Sequence, residues 1–309
     1  MKQFVVGVVA TYRRPAELAR LLASLKNAGG NFGAVVVADN ANDAATREAF
    51  EASGLRGLCL PMEENLGCGG GLRMASAAAC AHFKSEMTHL WILDDDAVAA
   101  PDALDILLRE MESNGADAAC PMVPDENGRL GWFPGLLDAE KFQAIREPGM
   151  NPAKYIAQRG SDPVPFSWST GVSLLVTQRA IAAVGFHRGD YWVRGEDLEF
   201  SLRITYRYKG IFVPGATVKH IPAQAAGGES GKDAYLKHCA MIQNLCYTSL
   251  HLPHGHRIAR TIPGNFRRLL KAWPLHRAIP DAVLAFWLGA IRAKPAGVAE
   301  NFHRRLLKR

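Results

Sequence analysis

Apolar runs alternate with amphipathic stretches through the first 119 residues. Phe4–Ala10, Ala34–Ala38 and Leu90–Leu93 are short and unbroken, and each predicts a strand buried on both faces. Leu55–Leu60 reads as a further short strand. Between them, Pro15–Asn27 sets Leu18, Leu21, Leu22 and Leu25 on one helical face, and Pro15 suits the first position of a helix. Ala44–Ala52, Gly71–Phe83 and Pro101–Ser113 continue as helices. Strands alternating with helices predict an α/β fold with a parallel sheet covered on both faces.

The rhythm changes after Ala119, where Trp132, Pro134, Pro163, Pro165 and Trp168 interrupt the pattern. Val172–Val176, Ile211–Val213 and Thr217–Ile221 are expected strands; Gln178–Val184 and Leu198–Tyr208 are expected helices. This half is expected to complete the sheet and build an acceptor pocket. From Lys232 the pattern is helical, broken by Pro253, Pro263, Pro274, Pro280 and Pro295.

Composition narrows the class. The 309 residues are 48% hydrophobic and 21% charged, as in a soluble globular enzyme, so disorder and fibrous repeats are excluded. Six cysteines occur without a C-x-x-C pair or zinc-ligand spacing to a histidine, which favours reduced thiols in a cytoplasmic protein. The apolar stretch at the N-terminus is too short for a signal peptide and ends at Arg13-Arg14. The net charge of +6 is uneven. Residues 254–309 carry 12 Lys and Arg against Asp281 and Glu300, or +10, while the rest carries 24 against 28, or −4. The body is thus mildly acidic and the tail strongly basic.

Four patterns carry candidate chemistry. Asp94-Asp95-Asp96 follows a buried strand, where ligands bind in open α/β sheets. Three adjacent carboxylates repel one another unless a divalent cation sits between them. Asn65-Leu66-Gly67-Cys68-Gly69-Gly70-Gly71-Leu72-Arg73 is a Gly-rich loop opening a helix; it allows backbone amides close to phosphate or sugar, and Arg73 adds a cation. It lacks the Gly-Lys-Ser/Thr of a P-loop. Glu196-Asp197 begins a helix, either as dipole-favoured acids or as a general base at the pocket mouth. His220 ends an expected strand, where it is structural or completes a mixed oxygen and nitrogen site for Mn2+ or Mg2+.

In this order, with Val9-Ala10-Thr11-Tyr12-Arg13-Arg14-Pro15, Ala38-Asp39-Asn40-Ala41 and Trp168–Gly171, the motifs resemble the inverting family 2 glycosyltransferases over roughly residues 3–225. The loop and the three aspartates look most like the galactofuranosyltransferase and rhamnosyltransferase branch. The resemblance implies a GT-A fold: a Rossmann-like, mixed, mostly parallel sheet with helices on both faces. It implies a catalytic domain at 1–230, with a nucleotide-binding half at 1–119 and an acceptor half at 120–230, followed by a basic helical region at 231–309. By resemblance, Thr11, Arg13 and Asp39 contact the nucleotide, Asp39 facing the base. Asn65, Gly69, Gly70 and Arg73 lie along the nucleotide-sugar. Asp94, Asp96 and His220 ligate the metal, Mn2+ or Mg2+, and Asp95 faces the donor ribose or sugar. Asp197 is the base, with Glu196 beside it. The family more often has two aspartates there, so Glu196 departs from the pattern. Trp168 and Trp192 are expected to wall the sugar or to be core.

The expected donor is a UDP- or dTDP-sugar and the acceptor a glycan or lipid-linked glycan. In the tail, Phe266, Leu269, Leu270 and Trp273 alternate with Arg267, Arg268 and Lys271, and the apolar run Ala282–Ile291 is far short of the ~20 residues that span a bilayer. Helices lying on an anionic membrane surface are one reading, which would put the enzyme on the cytoplasmic face of the inner membrane; a packed helical cap is the other. Two rival readings fit the motifs less well. A nucleotidyltransferase usually carries a Gly-rich loop after its first strand, and Thr11–Pro15 has no glycine. A non-catalytic, nucleic-acid-binding protein would leave the acidic motifs without purpose, so no nucleic-acid partner is expected.

Overall fold

The structure is a computed structural model that describes residues 3–222, 231–259, 261–272 and 275–291. In chain order the elements are β1 (Val5–Thr11), α1 (Pro15–Leu25), β2 (Phe32–Asp39), α2 (Ala44–Ser53), β3 (Gly57–Pro61), α3 (Gly67–His82), β4 (His89–Asp94), β5 (Ala97–Ala99), α4 (Ala103–Asn114) and β6 (Ala118–Pro124). There follow β7 (Leu130–Trp132), β8 (Gly135–Leu136), α5 (Ala139–Arg146), α6 (Pro152–Arg159), β9 (Val164–Trp168), β10 (Ser173–Thr177), α7 (Gln178–Val184), α8 (Glu196–Arg207) and β11 (Gly210–His220). The helices α9 (Gly231–His251), α10 (His256–Ala259), α11 (Ile262–Ala272) and α12 (Leu275–Ala290) close the series.

One sheet organises the body of the chain, in the order β3-β2-β1-β4-β10-β6-β11-β9-β8. It is parallel from β3 to β4 and again between β6 and β11. Successive side chains of β1 enter opposite layers. Val6 and Val8 join a core with Leu72, Ala75 and Ala79 of α3, while Val5 and Val9 join one with Leu18, Leu21 and Leu22 of α1. Each β1 valine is fully buried, which is why the strand reads as a continuous apolar run.

The sheet itself is mixed and mostly parallel, as the resemblance implies, with β10 antiparallel to both β4 and β6. A buried apolar run fits a central strand of either direction, so the pattern carried no polarity signal. Several expectations need correction. Ile211–Val213 and Thr217–Ile221 are one strand, β11, whose register slips between Val213 and Thr217 around Pro214-Gly215. Helix α3 begins at Gly67 rather than Gly71, and α8 begins at Glu196 rather than Leu198.

Close packing explains the glycines of α3. A Cβ at Gly69 would collide with the carbonyl of Tyr191 and lie 2.7 Å from that of Arg188. One at Gly71 would lie 2.8 Å from the Ala10 Cβ. The helix therefore sits directly against β1 and against the 188–192 segment leading to α8.

The helical region packs on the same body. Asn244 of α9 donates to the carbonyls of Val193 (3.3 Å) and Arg194 (2.8 Å), and the Tyr191 hydroxyl bonds Thr248 at 2.9 Å. Leu198 and Leu202 of α8 share a buried cluster with Leu245 and Ile258. Behind α9, Leu269 of α11 and Ala282 and Ala285 of α12 meet Cys239, Ile242 and Cys246. The apolar face expected of α11 is thus largely turned inward. Trp273, the expected boundary at residue 230 and the basic segment 292–309 lie outside the described residues.

Gly69→Ala is expected to lower unfolding free energy by about 1–3 kcal/mol, the usual range for overpacking, with backbone rather than a flexible side chain in the way. Urea denaturation checks this; a variant as stable as the parent would contradict the packing described.

Candidate functional site

The parallel strands β1 and β4 end side by side, Ala10 opposite Asp94. Asp94 therefore stands at the carboxyl end of the sheet, and Asp95 and Asp96 turn the chain into β5. That short strand pairs antiparallel with the end of β11, His220 opposite Ala97, and the Ile221 amide donates to the Asp96 carbonyl at 2.9 Å. This reversal brings residue 220 beside residue 96.

The three aspartates have distinct partners. Asp95 accepts from the Thr11 hydroxyl at 2.7 Å and from Arg14 at 3.1 Å. The same Arg14 nitrogen reaches Asp96 Oδ2 at 3.1 Å, and His220 Nε2 lies 3.0 Å from Asp96 Oδ1. One ligand atom each of Asp94, Asp96 and His220 lies within 4.8 Å of the other two. Burial drives Asp94 well above the usual carboxylate range; Asp96, Asp95 and Asp197 add to this, and His220 opposes it. Burial likewise raises Asp95, to about 6, against the pull of Arg14. Asp96 goes the other way: burial pushes it up, but His220 and Arg14 outweigh that and leave it lowered.

Two carboxylates and an imidazole are donors suited to Mn2+ or Mg2+. His220 turns Nε2 toward Asp96, and Asp94 is left with its charge poorly offset, which fits a cation among these groups. Trp132 covers the imidazole, with ring centroids 4.1 Å apart.

Across the cavity, Arg194 (φ 61°) and Gly195 (φ 91°) are both left-handed and turn the chain sharply into α8. The turn delivers Glu196 and Asp197 to the cavity wall. Asp197 accepts from the amides of Gly171 and Leu198, each at 2.8 Å, so its carboxylate is held in one orientation. Burial raises its pKa, and those amides oppose the shift. Gly171 separates Asp197 from Asp94: a Cβ there would lie 3.3 Å from the Asp197 Cβ and 3.7 Å from Asp94 Oδ1. Glu196 is buried, with Oε2 lacking a partner. Burial, then Asp197, pushes it well above the usual carboxylate range, while the Cys68 thiol donates to it.

A cavity of about 520 Å3 joins these groups. Thr11, Asn65, Asp94, Asp95, Asp96, Trp192, Glu196, Asp197 and His220 all line it. Other sequence candidates lie elsewhere. Arg13 adopts φ 55° and lies over the Tyr12 ring, 5.1 Å from its centroid; the adjacent Arg14 is the one that meets the aspartates. Asp39 is buried and accepts from the amides of Ala41 (3.0 Å) and Asp43 (2.7 Å), which closes the turn after β2. Gly69 and Gly70 are packed within α3, and Arg73 is exposed beyond them, against Gly189. Trp168 packs over Gly135 and the Leu198 cluster.

Some wall residues have roles the sequence does not single out. Asn40 bonds the Leu66 amide and the Gly67 carbonyl, both at 3.1 Å, and so fixes the Gly-rich loop. Lys237 and Met241 come from α9 and bring the helical region into the wall.

Comparisons with known proteins bear on the fold and the family. In three dimensions the chain is similar to GalNAc-T7 solved with UDP, GalNAc and Mn2+, at TM-score 0.58 and 13% identity, covering 94% of this chain and 56% of that one. It is also similar to S. aureus TarS, at TM-score 0.54 and 12% identity, covering 93% of this chain and 55% of that one. For TarS residues 1–349 the TM-score is 0.56 at 13% identity, covering 93% and 81%. The chain thus spans little more than half the length of the first two. These likenesses show a shared fold. No curated protein sequence matches the chain. The Glycosyl transferase family 2 profile matches residues 8–171, more than half of the chain, and so the protein belongs to glycosyl transferase family 2.

Proposed function

We propose that this family 2 glycosyltransferase is a metal-dependent, inverting hexosyltransferase. It would take a galactofuranose- or rhamnose-type sugar from a UDP- or dTDP-linked donor to a glycan or lipid-linked glycan. The observation that carries the reading is the meeting of Asp94, Asp96 and His220 with Asp197 in one cavity. A metal-and-phosphate group and a base are then within reach of one anomeric carbon. The solved GalNAc-T7 structure holds UDP and Mn2+ in a similar fold, which supports the choice of ligand. The six free cysteines support a reducing compartment, the cytoplasm. Among the described residues no helix is long and apolar enough to cross a membrane.

Asp94, Asp96 and His220 would hold the cation. When bound, it supplies positive charge to the diphosphate leaving group. Arg14 and Thr11 keep Asp95 fixed beside that site. Asp197, oriented by two backbone amides, takes the proton of the acceptor hydroxyl. That oxygen attacks the anomeric carbon as the bond to the diphosphate oxygen breaks on the opposite face, so configuration inverts. Glu196 is held protonated by burial and offers its proton to a sugar oxygen. Lys237 and Arg194 add positive charge on the α9 side of the cavity.

Two outcomes follow. Asp197→Asn should reduce transfer roughly 10²- to 10⁴-fold, the range for losing a general base, with donor binding retained in calorimetry. Near-normal turnover would remove Asp197 from the role. His220→Ala should weaken Mn2+ affinity by at least about tenfold, read from the free Mn2+ paramagnetic signal, and chelation should stop nucleoside diphosphate release in the parent. Release that is indifferent to chelator would contradict the metal assignment.

A further inference from the structure

Helix α12 is packed inside out. Ala282, Ala285 and Gly289 face α9, and a Cβ on Gly289 would lie 2.6 Å from the Gln243 carbonyl and 2.7 Å from the Cys246 Cβ. The large apolar residues point the other way. Ile279, Val283, Leu284, Phe286, Trp287 and Ile291 are all exposed, Trp287 at 61% and Val283 at 52%. Leu250, near the end of the neighbouring α9, is also exposed at 59%. The spacing of Ile279, Val283, Leu284, Phe286 and Trp287 in α12 places them along one side of the helix, with Ile291 just beyond its end. A soluble surface helix normally does the reverse, burying its large side chains and exposing polar ones. A contiguous apolar stripe of this kind marks a surface that is covered in use.

Charge discriminates between covers. Residues 254–309 carry a net +10, and Arg267 and Arg268 are exposed on α11. Phe266, just before them, meets Phe286 of α12, with ring centroids 6.4 Å apart, so the basic helix borders the stripe. A second copy docking by a two-fold contact would set one basic border, Arg267 and Arg268, against another. A bilayer interface rich in anionic lipid offers both an apolar layer for the stripe and negative headgroups for its basic border. An exposed tryptophan among aliphatic residues suits the headgroup boundary.

We infer that α12 is a membrane-docking face, with Val283, Phe286 and Trp287 entering the interface of an anionic bilayer and Arg267 and Arg268 pairing with its headgroups. The contact is peripheral. Helix α9 carries α12 on one side and lends Lys237 and Met241 to the cavity on the other. On the function proposed above, docking would bring the cavity to a lipid-borne acceptor; the docking itself does not depend on that function.

The test is flotation of the full chain with vesicles of phosphatidylcholine alone or mixed with phosphatidylglycerol, without nucleotide, beside light-scattering mass measurement in solution. The parent should float with the mixed vesicles, poorly with phosphatidylcholine alone, and less as salt rises. Val283→Ser with Trp287→Ser should reduce the floating fraction at least about fivefold while keeping the parent's thermal transition and vesicle-free activity. Arg267→Gln with Arg268→Gln should reduce binding only to the anionic vesicles. No flotation of the parent, or equal flotation of the Val283/Trp287 variant, would overturn the inference. So would a parent dimer that this variant converts to monomer, since that would assign the stripe to a second copy. Flotation of a catalytically silent protein would uphold the docking face and count against the proposed reaction alone.

Discussion

Five carboxyl groups meet around one partly closed cavity: Asp94, Asp95, Asp96, Glu196 and Asp197. In water their repulsion would be screened; at this depth it is screened far less, and burial pushes all five pKa values up, with only Asp96 brought back below its ordinary value by His220 and Arg14. The surrounding structure is largely a set of answers to that repulsion. Thr11 and Arg14 hold Asp95, His220 and Arg14 hold Asp96, and two backbone amides hold Asp197. Asp94 and Glu196 are the incompletely answered pair. Asp94 faces the cluster of metal-type donors, and Glu196 keeps a buried oxygen without a partner. A cation and a sugar hydroxyl are the ligands that would complete those two positions.

The fold supplies these groups from distant parts of the chain by simple means. Parallel strands end at a common edge, which sets Thr11 beside Asp94–Asp96. A three-residue strand folds back on β11 and brings in His220. Two left-handed residues turn the chain into α8 and present Glu196 and Asp197. Glycines in α3 permit the close approach of the 188–192 segment, without which the α8 turn would stand further from the aspartates. The α9 helix then buttresses that turn through Asn244.

Much of this was legible in the sequence, for physical reasons. Val5–Val9, Val35–Val37 and Leu90–Leu93 are buried on both faces, and such strands announce themselves. The acids and His220 stand at strand and helix ends, where position narrows the role. The middle of the chain was less readable. In β6, Pro121 and Pro124 hide a fully buried strand, and β7, β8, α5 and α6 are too short for a clear period. Sequence does not tell a glycine that admits a ligand from one that admits a neighbouring segment of chain, and Gly69 sits against the carbonyls of Tyr191 and Arg188. Nor does it separate Arg13 from Arg14, since the positive φ that turns one outward and leaves the other inward is a property of the fold. Lys237 had no signal, because it reaches the cavity only through the packing of α9.

The central claim is that the acidic cavity becomes a nucleoside diphosphate site when a cation neutralises Asp94 and Asp96. Calorimetric titration of UDP and of dTDP into the full chain, with Mn2+ and again with chelator, tests it directly. Saturable binding of at least one nucleotide that requires Mn2+ is the expected result. Equal binding in chelator, or no binding of either nucleotide with Mn2+ present, would contradict it.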